Sequence, residues 1–181
     1  MLIVFLLVSL CTISCKKNRG VKYLTTDKDF KTWTFSNANT AASFMVHSIM
    51  KSKLQKNQYK KSKWIIMPEA TNNTFEHINC TILMDKIKTK LVQNNIGLIL
   101  GNTKVLHILK KENIDIQNFR EPKIRKKIVL LTGASMIISG EISKQCKNTY
   151  IPSNACYAVR MLCFNLNTGT VEWSDSIEIK K

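Results

Sequence analysis

Apolar positions along this chain recur at two spacings, and the spacing divides it into helices and strands. Ala42, Met45, Ile49 and Leu54 stand at near-helical intervals behind the turn-like Ser36-Asn37-Ala38-Asn39. This predicts an amphipathic helix over about 40–54. Lys63-Trp64-Ile65-Ile66-Met67 is a short apolar run stopped by Pro68, the signature of a buried strand. A polar loop follows from Glu69 to Ile78. Asn79 suits an N-cap, and Leu83, Ile87 and Leu91, four apart, carry a helix behind it to about 94. Ile96-Gly97-Leu98-Ile99-Leu100 reads as a second buried strand. Thr103 suits the cap of a third helix, with Val105, Ile108 and Leu109 on one face. A fourth begins near Pro122, buries Ile124, Ile128 and Leu131, and ends at Gly133.

The C-terminal third changes period. Met136–Ile142 is a third apolar run. Tyr157, Val159, Met161 and Cys163 then alternate with Ala158, Arg160, Leu162 and Phe164, predicting a long strand over 155–166. Asn167-Thr168-Gly169-Thr170 is a turn. Val171, Trp173, Ile177 and Ile179 follow, interleaved with polar residues. Three strands in sequence predict an antiparallel meander. The fold class is therefore α+β, with a mixed sheet of about five strands packed with about four helices.

The N-terminus follows neither pattern. Leu2–Leu10 is an unbroken apolar run leading into Thr12-Ile13-Ser14-Cys15, and Lys16, Lys17 and Arg19 come after it. A membrane helix needs ~20 apolar residues, so this run reads as a removable export signal. A small residue before a cysteine looks like a bacterial lipobox, in which the cysteine takes the lipid. Ser14 before Cys15 fits that pattern better than Leu10 before Cys11. The organisation expected is a signal over 1–14, lipidated Cys15 with a short polar tether over 15–32, and one globular domain over 33–181. Lys16 after the cysteine points to the outer membrane, because an aspartate there would mark inner-membrane retention in enteric bacteria.

Charge adds an exclusion. The net charge is +16, carried by 24 Lys and only 4 Arg. Nucleic-acid faces favour the bidentate fork of arginine, so this balance argues against nucleic acid and leaves anionic surfaces open. The basic stretch from Lys56 to Lys63 reads as a solvated connection. No CxxC pair and no His at ligand spacing supports a metal site. If a hairpin closes around Asn148 to Asn154, Cys146 and Cys156 lie near its ends, where a disulfide needs Cα atoms within ~7 Å. Small buried thiols are the other reading of the cysteines.

Catalytic chemistry is not indicated. His47 and His107 fall in predicted helices, and no Gly-rich phosphate loop or G-x-S-x-G is present. Glu76-His77 could serve as an acid–base pair, but the same residues suit a loop that caps a helix, with Asn72 bonding the loop backbone. Trp64 and Trp173 read as core packing. No cofactor is expected.

Four segments in order carry a resemblance. They are Phe35-Ser36 with the Ala42–Met50 helix, NNTFEHI from Asn72 to Ile78, GASMIISGEI from Gly133 to Ile142, and NLNTGTVEWSDSIEIKK from Asn165 to the end. Together they resemble the penicillin-binding-protein activator lipoproteins of the LpoB type. Glu76, His77 and Ile78 match the family's Glu-His-Ile-Asp, with Asn79 in place of the Asp. Ser135 replaces an Asp in Gly-Ala-Asp. Asn72, Gly133, Gly140, Gly169 and Trp173 match as structural positions. The resemblance spans about 33–181. It implies a fold like the amino-terminal domain of TolB and a non-enzymatic role, binding a bifunctional, class A penicillin-binding protein and stimulating peptidoglycan synthesis. The tether is much shorter than the Pro-rich one of enteric members. That favours the alternative of a structural or envelope-assembly lipoprotein with a different protein partner.

Overall fold

The computed structural model describes residues 23–25, 33–55, 57–145 and 156–180. It contains seven strands: β1 (Tyr23–Thr25), β2 (Lys63–Ile66), β3 (Thr71–Asn73), β4 (Leu98–Ile99), β5 (Met136–Gln145), β6 (Cys156–Asn165) and β7 (Thr170–Lys180). The helices are α1 (Phe35–Met50), the single turn α2 (Asn57–Lys60), α3 (Cys80–Gln93), α4 (Asn102–Lys111) and α5 (Pro122–Thr132). Two 3-10 turns add Lys53–Gln55 and Ile116–Asn118. The sheet runs β1-β7-β6-β5-β2-β4, with β3 also paired to β5. β5, β6 and β7 form the expected antiparallel meander, while β2, β3 and β4 join in parallel.

β2 and β3 are two pieces of one strand. Ile66 is level with Ile138, and Thr71 is level with Glu141. Five residue steps on one side therefore face three on the other, so two residues loop out. Pro68 explains the break, because it has no N–H to continue the ladder after Met67 N donates to Ile138 O. β3 itself is Thr-Asn-Asn and fully exposed, so no apolar pattern announces it. β1 comes from the 15–32 stretch expected as tether and pairs in parallel with β7.

The helices occupy both faces. The β2–α3–β4 and β4–α5–β5 connections step in opposite directions across the sheet, and right-handed crossovers then set α3 on one face and α4 with α5 on the other. Side chains agree. Trp173, opposite Cys163, donates from its indole to Ser48 on α1 at 3.2 Å. Phe164, the next residue after Cys163, meets Phe119 edge-on on the other side at 5.4 Å. Trp64, Ile137, Ile138, Tyr157 and Ile177 fill the middle. Among the described residues no helix is long and apolar enough to cross a membrane.

Several boundaries differ from the sequence expectation, each for a local reason. α1 begins at Phe35, so Ser36–Asn39 is helix rather than turn. Thr34 is the N-cap: its hydroxyl accepts from Asn37 N at 3.2 Å, and Asn37 Oδ1 accepts from Thr34 N at 2.8 Å. This capping box makes the Asn that suggested a turn the residue that starts the helix. After Met50 the chain tightens into a 3-10 turn around Leu54. α4 is capped by Gly101, not Thr103. β4 keeps only two residues because α4 is entered at once. Asn79 caps α3 as expected, accepting from Thr81 N at 3.2 Å. Gly133 ends α5 in the left-handed conformation, φ 66°.

Thr34→Ala removes one side of the capping box. It lowers stability by about 1 kcal/mol, read as an earlier urea midpoint with an unchanged slope.

A preorganised loop as candidate docking site

The segment NNTFEHI leaves the sheet at β3 and enters α3, and its own side chains fix its shape. Asn72 Oδ1 accepts from Thr74 N at 3.0 Å and from Thr74 Oγ1 at 2.7 Å. Asn72 Nδ2 donates to Glu76 O at 2.8 Å. Thr74 Oγ1 accepts in turn from Glu76 N at 3.1 Å. An asparagine closing a turn on its own backbone is the bond expected from the sequence.

Glu76 locks this loop to the meander. Its Oε1 accepts from Lys144 Nζ at 2.6 Å, and its Oε2 accepts from the Tyr157 hydroxyl. The Trp33 backbone N–H also faces the carboxylate. The Trp33 ring meets Tyr157 edge-on, centroids 5.4 Å apart. Partial burial pushes the Glu76 carboxyl up, but the bonds from Lys144 and Tyr157, the Lys144 charge and the Trp33 N–H outweigh it and hold the group below its ordinary value. Burial first, then the bond and charge of Glu76, push the Tyr157 phenol well up. Glu76 is therefore a charged clasp, not a proton donor at neutral pH. His77 beside it is exposed.

The clasp leaves a large apolar side chain in water. Phe75 is fully exposed at the loop tip. Phe35, two residues beyond Trp33, is 65% exposed, with the Lys86 ammonium 3.6 Å from its ring centre. An aromatic ring held in water by a rigid loop is the usual chemistry of a protein-interface anchor. Neither Phe75 nor the Trp33–Lys144–Tyr157 support was singled out from the sequence. The available signal was a lone phenylalanine in a polar run.

The remaining sequence-predicted positions lie elsewhere. Gly140 faces α3, where a Cβ would meet Met84 Sδ and Met161 Cγ at 3.4 Å. Gly169 turns from β6 to β7 at φ 79°, with the Arg125 guanidinium against it. Trp173 is core, 7% exposed, and Trp64 is fully buried. Next to Trp173, Glu172 gathers Lys53 Nζ at 2.6 Å, Tyr59 OH at 3.2 Å and Thr170 Oγ1 at 3.1 Å. The Lys53 bond, against some burial, holds its carboxyl down. Cys156 opens β6 opposite Gln145, its thiol 3.8 Å from Glu178 Oε2. Cys15 and Cys146 lie outside the described residues.

Two shallow grooves adjoin the loop. One, about 430 Å³, runs along the open sheet face past Gln117, Arg120, Glu141 and Arg160. The other, about 370 Å³, is lined by Glu69, Asn72, Ile78 and Cys80. Arg160 pairs with Glu141 at 3.0 Å. Burial, then the Glu69 charge, push the Cys80 thiol up, away from the thiolate a nucleophile needs. Among the described residues no acid–histidine–cysteine cluster could hold a metal.

Comparison with known proteins gives a consistent set of likenesses. The model of the family described as peptidoglycan-synthase activator LpoB matches residues 37–179. The LpoB C-terminal domain from Salmonella enterica superposes with a TM-score of 0.62 at 14% identity, over 80% of this chain and 99% of that one. The LpoB C-terminal domain from Escherichia coli gives 0.61 at 14% identity with the same coverage. Lipoprotein GNA1162 from Neisseria meningitidis gives 0.52 at 14%, over 66% of this chain and 83% of its own. At these identities the structural likeness speaks for the fold alone. No curated protein matches in sequence.

The clasp has a pH signature. With the folded carboxyl below 4.5, its contribution is complete above that value and is lost as pH falls through the lowered one. Glu76→Gln costs about 1–3 kcal/mol at pH 7. Urea midpoints for the two proteins converge as the pH is taken down from 4.5 through the lowered value.

Proposed function

We infer the role of this chain from its family: it belongs to the peptidoglycan-synthase activator LpoB family, which is regulatory rather than enzymatic. That match over residues 37–179 is the observation that carries the reading. The partner is a peptidoglycan synthase, specifically a bifunctional, class A penicillin-binding protein. Cys15 carries the lipid, the chain from it to β1 is the tether, and the domain works on the periplasmic side of the outer membrane.

The docking loop supplies the contact. Its hydrogen bonds fix the backbone before the partner arrives, so little ordering entropy is lost on binding. Phe75 then enters an apolar pocket on the synthase. From Cys15 to β1 the chain extends at most about 30 Å, so the synthase reaches most of the way. The same shortness favours a second reading, an envelope-assembly lipoprotein whose partner lies at its own membrane. Crosslinking in intact cells separates the two by the protein recovered.

The test is binding of the full chain to the cell's class A penicillin-binding proteins, with glycan polymerisation as the readout. Phe75→Ala weakens binding about tenfold or more, with an unchanged melting temperature because the ring touches nothing. Normal stimulation by Phe75→Ala removes the loop as the contact. Failure of the native chain to bind or stimulate refutes the activator role.

A further inference from the structure

We propose that the outer face of α4 and α5 rests on an anionic phospholipid bilayer. The observation behind this is an asymmetry of charge between the two faces of the sheet. α4 and α5 carry Lys104, Lys110, Lys111, Lys123, Arg125, Lys126 and Lys127 and no acid. α1 carries no Lys or Arg, and α3 carries three Lys with one Asp. A uniform lysine bias would load both faces alike.

The arrangement on α5 is costly without a partner. Lys123, Lys126, Lys127 and Leu130 stand at i, i+3, i+4 and i+7, one solvent stripe. All four are exposed, and Leu130 is 85% exposed. The cations sit in the first two turns, where the helix dipole opposes positive charge, and they repel one another. Among the described residues none of them is in an ion pair. Arg125 is turned inward against Gly169. The acids nearest in sequence are Glu112, Asp115 and Glu121, between the helices, and Asp115 is engaged in accepting from Gln117 N at 2.9 Å.

The chemistry selects the occupant. Ammonium groups on flexible stems suit a diffuse negative surface rather than a geometrically defined anion. A leucine among them gains by entering the headgroup–acyl boundary and gains nothing from a hydrated polymer. The inference rests on α4 and α5 alone and is independent of which synthase is bound.

Lysine acetylation read by mass spectrometry tests it on the full chain, mixed with vesicles of phosphatidylcholine alone or with about one-third phosphatidylglycerol. With anionic vesicles at low salt, Lys104, Lys110, Lys111, Lys123, Lys126 and Lys127 react several-fold more slowly. Lys86, Lys88 and Lys90 do not change, and high salt restores reactivity. The triple variant K123E/K126E/K127E loses the protection at Lys104, Lys110 and Lys111 with an unchanged circular dichroism spectrum, and Leu130→Gln weakens it. Phe75→Ala keeps the full pattern, which separates this face from the docking loop. Equal labelling of both faces, equal protection by neutral vesicles, or protection by isolated peptidoglycan but not by vesicles overturns the proposal. Should the triple variant misfold, the native labelling pattern decides alone.

Discussion

The fold depends on β5 having hydrogen-bonded partners on both edges along most of its length. One edge is taken by β6 in ten consecutive register pairs. The other is shared between β2 and β3, on either side of the two residues expelled at Pro68. A strand satisfied on both sides cannot slip without turning its apolar face to water. The candidate docking loop is positioned from it. β3 exists only because β5 extends past β2, and the docking loop starts where β3 stops. Lys144, near the far end of β5, reaches Glu76, while Gly140 in its middle lets α3 approach.

Legibility followed the physics of burial. Elements with an apolar periodicity were visible in the sequence: the meander, β2, α3 with its Asn79 cap, and α5 between Pro122 and Gly133. β1 and β3 were not, because they are held by backbone pairing with no apolar period to signal them. The start of α1 was misplaced because Asn37 suits both a turn and a capping box, and only Thr34 three residues earlier decides between them. Within the candidate site, Asn72 and Glu76 stood out by resemblance. Their supports did not, because Lys144 and Tyr157 lie 68 and 81 positions from Glu76. Phe75 was passed over because an exposed aromatic leaves no pattern.

The two surfaces are built on opposite principles. At the docking loop a charge is neutralised internally, and an apolar ring is left over. On α5 the charges are left unneutralised, with an apolar side chain set among them. The first arrangement gives shape and suits one protein surface. The second gives potential and suits any sufficiently negative plane. Both fit the proposed role, in which one face rests on a membrane while the loop meets a synthase.

On the proposed attachment at Cys15, the pairing of β1 bears on the length of the tether. Measured from Cys15, the proposed attachment point, the chain reaches roughly 60 Å to Trp33 but only about 30 Å to Tyr23 when extended. Three residues at the sheet edge therefore decide which length applies. With Tyr23–Thr25 paired to β7, the shorter of the two lengths applies. On that attachment, the working radius of the domain is set by a three-residue strand at the edge of its sheet.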